Sequence, residues 1–170
     1  QIFSRRFLQR NYYISAKPHK MKYTTEIVVD LPRDEFVKKL DDPENMKHWQ
    51  RGLVGYEQLS KNPGQDGAQM SLSFKMGNRK MDMVETIIKN NLPEEMYTIY
   101  DTKGVHNIQK NYFKEEDGKT RWISESEFQF SGFGMKLMGL LMPRAFKKQS
   151  KKYMEDFKAF AENGTSVQDI

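Results

Sequence analysis

The chain has 170 residues, the size of one domain, with 28 Lys and Arg, 23 Asp and Glu, 12% aromatic residues and no cysteine. The missing cysteines exclude a disulfide scaffold, a thiolate nucleophile and iron–sulfur ligation. The aromatic content excludes a disordered chain, and no apolar stretch is long enough to span a bilayer.

Residues 1–20 carry all of the excess positive charge, because they hold five basic residues and no acid, whereas residues 21–170 hold 23 of each. We interpret this segment as a basic leader or upstream extension that precedes a plausible natural start at Met21. A targeting peptide is the alternative, since the segment contains arginine and serine and no acid. The lack of net charge in the remainder disfavours a nucleic-acid partner, and the lack of a secretory signal favours a cytoplasmic location.

The domain, which we place at residues 21–162, is expected to begin with a strand and two short helices. Residues 23–30 alternate between two faces, which predicts a β-strand. Pro32 fits the first turn of the first helix. Asp42 and Pro43 supply the N-cap and first position of the second helix, which stops before Gly52.

Six antiparallel strands are expected over residues 53–130, with hairpin turns at Gly77-Asn78 and Asp117-Gly118. Residues 135–162 change to helical periodicity, with Pro143 expected to kink or restart the helix. The pattern therefore predicts an α+β fold in which a curved antiparallel sheet of seven strands wraps around a long C-terminal helix.

Two further expectations concern the C-terminal tail and the charged face of the last helix. Residues 163–170 are expected to form a frayed tail. The lysines of the last helix lie largely opposite its apolar face and are interpreted as a solvated surface, with a role at a membrane surface as the alternative.

The turn at Asp117-Gly118 fixes which residues of the last two strands face each other. Lys110 then pairs with Glu125 on one face, which marks that face as the solvent side. The opposite face carries five polar side chains in its middle: Asn107, Gln109, Asn111, Ser124 and Ser126. An unpartnered buried amide costs about 1–3 kcal/mol, so these groups form a mutually bonded ladder or the floor of a ligand cavity, unless the register is wrong.

The turn at Gly77-Asn78 places one acid, Glu85, on an otherwise apolar face with Leu72, Phe74 and Met83. Desolvation would raise the pKa of such a carboxyl. Glu85 is interpreted as a ligand anchor or general acid. The alternative is a structural glutamate that reaches water at the rim of the sheet or bonds a partner in the core.

Four segments resemble the START-like, helix-grip superfamily, also called SRPBCC, which includes the birch-pollen-allergen and polyketide cyclase/dehydrase groups. They are residues 30–36, 41–49, 122–132 and 151–157. The chain is most similar to small bacterial single-domain members over about residues 22–162. This resemblance implies a deep hydrophobic cavity between the sheet and the long helix. It implies no particular activity, because the superfamily includes binders, transporters, cyclases and chaperone activators.

Motifs for metal, cofactor and nucleophilic chemistry are missing from the sequence. The histidines His19, His48 and His106 are far apart, and no ligand spacing for a metal occurs. Gly132-Phe133-Gly134 lacks the third glycine of a dinucleotide fingerprint and follows an antiparallel strand. We therefore expect no metal and no cofactor, and whether the chain is an enzyme stays open.

These observations favour a soluble protein that binds an apolar or amphipathic small molecule between the sheet and the long helix. Side chains expected to bury the body of the ligand are Met70, Leu72, Phe74, Met83, Trp122, Phe128, Leu141, Met142 and Phe146. Those expected to orient its polar groups are Asn107, Gln109, Asn111, Ser124, Ser126 and Glu85.

Two other functions stay open. One is an enzyme of the cyclase or dehydratase type that acts on a polyketide-like substrate in the same cavity, with Glu85, Tyr97 or Tyr100 moving a proton. The other is a protein-interaction module of the chaperone-activator type, which would work through the outer face of the sheet and would have a filled core.

Overall fold

A computed structural model describes residues 19–169, apart from the side chain of Met76. Its elements follow one another as β1 His19–Val29, α1 Arg33–Leu40, α2 Met46–Trp49, β2 Leu53–Gln58, β3 Gln69–Met76, β4 Arg79–Asn91, β5 Glu95–Thr102, β6 Val105–Glu116, β7 Lys119–Phe130, α3 Phe133–Leu141 and α4 Pro143–Asn163. Short 3₁₀ helices occupy Pro43–Asn45 and Val167–Asp169. The predicted α+β, helix-grip architecture is confirmed.

One antiparallel sheet contains all seven strands in the order β1-β7-β6-β5-β4-β3-β2. Its registers are those that the two hairpin turns predict, since Asn111 lies opposite Ser124 on β6 and β7 and Leu72 lies opposite Met83 on β3 and β4. The five polar residues of β6 and β7 therefore share the concave face, as expected, and the possibility of a wrong register is excluded.

The two short helices form where local signals place them. Asp42 caps the 3₁₀ turn before α2 by accepting a hydrogen bond from the backbone N–H of Glu44 at 2.9 Å. Phe36 on α1 is fully buried. It packs edge-on against Phe157 of α4, with ring centroids 5.0 Å apart. Both short helices thus close one end of the space between the sheet and α4.

The C-terminal half of α4 supplies the core. Phe157 is fully buried and its ring packs against the rings of Trp49, Phe36 and Trp122. Burial of an aromatic side chain of this kind contributes about 1.5–3 kcal/mol to the free energy of unfolding. This end of the molecule is therefore filled, and any cavity must lie nearer the start of α4.

Pro143 restarts the helix, as predicted, because it lacks the backbone donor that a continuous helix needs. Helix α3 ends at Leu141, Met142 takes an extended φ of −127°, and α4 begins at Pro143. The direction of the side chains on α3 is consequently not set by the helical period of α4. This break therefore decides which of the residues around position 140 face the sheet and which face solvent.

The ends of the described chain differ from the expectation. His19 and Lys20, which were assigned to the leader, already belong to β1, and residues 1–18 of that leader lie outside the described residues. The tail predicted to be frayed instead forms a 3₁₀ helix over Val167–Asp169. Ser166 is buried and lies 3.1 Å from the ring nitrogen Nδ1 of His48. A partly buried hydrogen bond and packing against α2 hold this tail in place.

Candidate functional site

A cavity of about 410 Å³ lies between the concave face of the sheet and helices α3 and α4. Its wall is mainly apolar, built by side chains from every strand except β2 on one side and from helices α1 to α4 on the other. The apolar side chains are Leu40, Trp49, Leu72, Phe74, Met81, Met83, Met96, Val105, Trp122, Phe128, Met135, Met138, Phe146 and Met154. Unbranched methionines fill irregular space without a fixed shape, so this wall can adapt to an occupant.

The polar floor predicted from the sequence lies in this cavity. Asn107, Gln109, Asn111 and Ser124 all line it. Asn111 is bonded within the protein, because its Oδ1 accepts a hydrogen bond from the indole N–H of Trp122 at 3.0 Å. By contrast, the buried Oδ1 of Asn107 and Oγ of Ser126 have no partner among the described residues. The floor is therefore not a fully bonded ladder.

Glu85 also lines the cavity and is the acid of its interior wall. It lies on β4 directly opposite Tyr100 of β5, which lines the cavity too. Burial raises the pKa of the Glu85 carboxyl, the hydrogen bond from Tyr100 opposes that rise, and the negative charge of Asp41 adds to it. Because burial dominates, this carboxyl keeps its proton to a higher pH than an exposed glutamate does.

Tyr100 stays protonated throughout the ordinary pH range. Burial and the adjacent Glu85 carboxylate raise the pKa of its phenol well above the usual value. The cavity therefore holds a carboxyl beside a phenol that donates a hydrogen bond. Burial of the Glu85 carboxyl and its hydrogen bond with Tyr100 argue against the alternative in which the carboxyl reaches water at the rim of the sheet.

Tyr97 does not belong to this site. It points to the outer face of the sheet, where its hydroxyl donates to a carboxylate oxygen of Glu95 at 2.5 Å. Its ring contacts that of Tyr112 on the same face. Of the two tyrosines considered as proton donors, only Tyr100 lies at the cavity.

Eleven of the fifteen residues predicted to bind ligand line the cavity, and four do not. Met70 packs beside Leu72 and Phe74 in the adjoining core, and Ser126 is buried next to the cavity. Leu141 and Met142 are exposed to solvent, 68% and 53% respectively. They were expected to bury a ligand because they share the near-3.6-residue spacing of the apolar residues in this segment, but at the end of α3 they face solvent.

Several lining residues were not predicted. Gln149, Ser150 and Tyr153 of α4 face the cavity beside Phe146. Their spacing of three and four residues places them on the apolar stripe of the helix, and this periodicity could have identified them. Trp49 and Gln50, at the end of α2, had no such signal, because only the packing of α2 against α4 brings them to the cavity.

The described residues contain neither a metal-binding cluster nor a membrane-spanning helix. Within residues 19–169 no group of three or more His, Asp or Glu side chains is arranged to hold a metal ion. In the same range, no helix has the length and apolar character that crossing a bilayer requires.

Solved structures of several other proteins have the same fold. The structure of Ara h 8.0201 has a TM-score of 0.69 and 11% identity over 84% of this chain and 98% of that chain. Truncated norcoclaurine synthase from Thalictrum flavum has a TM-score of 0.65 and 11% identity over 86% and 96% of the two chains. Major latex-like protein 151 from Panax ginseng has a TM-score of 0.66 and 8% identity over 84% and 97%.

At these identities the structural similarity establishes the fold alone. None of the curated proteins matches the sequence significantly. One family model does match, over residues 20–162, and its description is polyketide cyclase / dehydrase and lipid transport. That match spans most of the chain, including α3 and all of the sheet except His19, and reaches into the last turn of α4. The chain therefore belongs to the polyketide cyclase / dehydrase and lipid transport family, within the SRPBCC superfamily.

Proposed function

We propose that the chain binds an apolar or amphipathic small molecule in the cavity between the sheet and helices α3 and α4. The observation that carries this proposal is a mainly apolar cavity of about 410 Å³ whose lining includes polar groups. Its volume lies within the range of roughly 300–1,000 Å³ that is usual for small-molecule sites. An empty cavity of this size weakens the fold, and an occupant that fills it restores the lost contacts.

The polar groups of the cavity suit a ligand with one polar end. Gln109, Glu85 and Tyr100 lie on the sheet side, and the helix side adds Gln149, Ser150 and Tyr153. A hydroxyl or carbonyl group on the ligand would bond to the polar groups of the sheet side, and its apolar body would lie against the apolar side chains of both sides. The unpartnered Asn107 Oδ1 supports this orientation, because the floor has hydrogen-bonding capacity that the protein itself does not use.

A fluorescent amphipathic probe, anilinonaphthalene sulfonate, tests the proposal. We expect one site on the folded protein, and we expect Met83→Trp to weaken its binding by at least about tenfold, because the larger ring occupies the cavity. Ile88→Trp is the matched control. It introduces the same ring on the same strand at an exposed position that does not line the cavity.

Thermal unfolding of each variant must be cooperative, since this probe also binds loosely packed states. Equal probe binding by wild type and Met83→Trp, with both folded, would place the probe outside the cavity and contradict the proposal. Native mass spectrometry of freshly purified protein is an independent measurement, and we expect it to show a retained small molecule.

A second candidate function is proton transfer to a polyketide-like substrate in the same cavity. The pairing of Glu85 with Tyr100 favours it, because a carboxyl with a raised pKa is suited to act as a general acid. The test is turnover of β-hydroxy and β-keto acyl thioesters by mass spectrometry. Turnover lost in Glu85→Gln and kept in Glu57→Gln, an exposed glutamate on β2, would support this function; no turnover of any substrate would exclude it for this class.

No observation supports the third function, a protein-interaction module that works through the outer face of the sheet. A filled core would have favoured that interpretation, and the core contains a cavity.

A further inference from the structure

Helix α3 turns an apolar face to solvent. Phe133 is 86% exposed, and Leu137, Leu140 and Leu141 are also exposed. These positions follow the spacing i, i+4, i+7, i+8, which at 3.6 residues per turn covers an arc of about 100°. The opposite side of the helix, at Gly139, contacts the sheet. Globular proteins rarely expose so contiguous an apolar surface without a partner for it.

The chain around this apolar face is strongly basic. Between Glu127 and Glu155 the sequence contains six basic residues and no acid. Three of these, Arg144, Lys147 and Lys148 at the start of α4, form no ion pair with any acid among residues 19–169. Cations without an ion-pair partner in the described part of the chain thus occupy the first turns of α4, the helix that directly follows α3.

The apolar face also continues into the cavity. Met138 is exposed on α3 and at the same time lines the cavity, and Met135 lines it one turn earlier. Phe146 of α4 completes this wall. The outer surface of α3 and the inner surface of the cavity are therefore joined by side chains that belong to both.

We propose that α3 and the first turns of α4 dock on the surface of an anionic phospholipid bilayer. Phe133, Leu137, Leu140 and Leu141 would enter the boundary between headgroups and acyl chains, where amphipathic helices lie at a depth of about 5–10 Å. The cations of α4 would meet the anionic headgroups. This docking is peripheral and does not require any element to span the bilayer.

Charge distinguishes a bilayer from a second copy of the chain. A symmetric dimer through α3 would bring the same basic segment of both copies together, and the like charges would repel each other. An anionic surface instead neutralises them. Docking does not depend on the proposed ligand, although a docked helix would place the cavity next to the acyl chains.

Vesicle flotation with the full chain tests the proposal. We expect binding to vesicles of equal parts phosphatidylcholine and phosphatidylglycerol that is at least about tenfold stronger than binding to phosphatidylcholine alone, and that weakens as salt is added. Equal affinity for the two vesicles, or no binding to either, would overturn the proposal.

Two pairs of variants separate the apolar and the basic contributions. Phe133→Gln with Leu140→Gln should weaken binding about tenfold, while Val54→Gln with Leu59→Gln, exposed apolar residues of the distant strand edge, should leave it unchanged. Lys147→Gln with Lys148→Gln should reduce the salt dependence, and Lys61→Gln with Lys75→Gln, on the β2–β3 side, should reduce it less.

Every substituted side chain in these variants is exposed, so folding is expected to persist, and circular dichroism verifies it. Analytical ultracentrifugation tests the alternative that a second copy of the chain covers the apolar face of α3. A dimer that disappears in the Phe133→Gln, Leu140→Gln variant would assign the face to a second copy and overturn the proposal. Binding of anilinonaphthalene sulfonate in the same variant reports on the cavity separately, so a failure of docking is distinguishable from a failure of the proposed function.

Discussion

Glu85 is a carboxyl that the fold encloses beside empty space. Burial favours its neutral form, and the hydrogen bond from Tyr100 favours its ionised form. Its pKa is raised because the first effect exceeds the second. A group of this kind costs the fold stability whenever the pH is high enough to ionise it in the unfolded chain. Such a cost is typical of residues retained for binding or catalysis, although ion-pair networks also shift pKa values.

The pH dependence of unfolding tests this description of Glu85. The pKa of the carboxyl is higher in the folded state than in the unfolded one, so the folded state binds the extra proton. The free energy of unfolding should therefore fall as pH rises from the ordinary glutamate pKa to the raised one. Glu85→Gln should remove this fall and stabilise the protein at neutral pH, as measured by urea unfolding across pH.

Glu57→Gln is the control for that series, because Glu57 is exposed on β2. It should leave the slope unchanged. A steeper fall in Glu85→Gln than in wild type would contradict the raised pKa. Asp41, whose pKa burial also raises, contributes a slope of the same sign that should persist in both variants.

At the scale of single elements, α3 depends on one glycine. A Cβ at Gly139 would lie 2.5 Å from Cδ2 and 2.6 Å from Cε2 of Phe130. That ring is fully buried and packs against the rings of Phe128 and Phe146, so it has no space to move into. The close approach of α3 to β7 thus requires a residue without a side chain.

Gly139→Ala is therefore expected to destabilise the protein by about 1–3 kcal/mol, through overpacking against Phe130. Gly134→Ala, in the same helix with open space around its Cα, should be neutral or stabilising by up to about 1 kcal/mol. Urea unfolding of both variants measures the difference. Equal stabilities would mean that α3 can move away from the sheet without cost.

The loop after α2 is tied to α4 by a buried carboxylate. Arg51 donates to both oxygens of Asp156, at 2.6 and 3.0 Å, and Lys152 lies 3.0 Å from one of them. Because Asp156 is almost fully buried, Arg51→Ala leaves a charge there with less compensation. We expect a loss of about 1–3 kcal/mol in the free energy of unfolding.

Arg79→Ala supplies the comparison for this loss. Arg79 is exposed at the β3–β4 turn, and its removal should change stability by no more than about 0.5 kcal/mol. A similar effect of the two substitutions in urea unfolding would show that the Arg51 pair contributes no more than a surface charge does.

The hairpin turns made the facing of the strand residues predictable from the sequence. The break between α3 and α4 made the facing of the helix residues harder to predict. The φ > 0 turn residues Asp117 and Gly118 allow a single tight register, and alternation then assigns every residue of β6 and β7 to a face. The apolar spacing before and after Pro143 was interpreted as one stripe, although that proline was expected to kink or restart the helix. Leu141 and Met142 were therefore expected to face the ligand, but their side chains are exposed. Composition alone does not distinguish a buried apolar stripe from an exposed one.

At the scale of the whole molecule, the sheet and the two last helices enclose a cavity whose occupation should affect global stability. A ligand at a hundred times its Kd adds about 2.7 kcal/mol to the free energy of unfolding if it binds the folded state alone. The cavity residues come from every part of the chain, so this gain applies to cooperative unfolding as a whole.

Protein as purified should therefore melt at a higher temperature than protein refolded after extraction with organic solvent. The difference should disappear when the extract is added back. Differential scanning calorimetry provides the measurement, and mass spectrometry of the extract identifies what was removed. Identical melting temperatures combined with an empty extract would indicate that the cavity is unoccupied after purification.

The strand order has a consequence for how the chain is made. Among the strands of residues 19–169, β1 pairs only with β7, so its partners are about 90 to 110 residues further along the chain. During synthesis β1 leaves the ribosome before the other six strands, and its partner strand is missing until β7 has emerged. The hairpins from β3 to β7 can assemble as they appear. The sheet is therefore completed only when its first and last strands, β1 and β7, pair with each other.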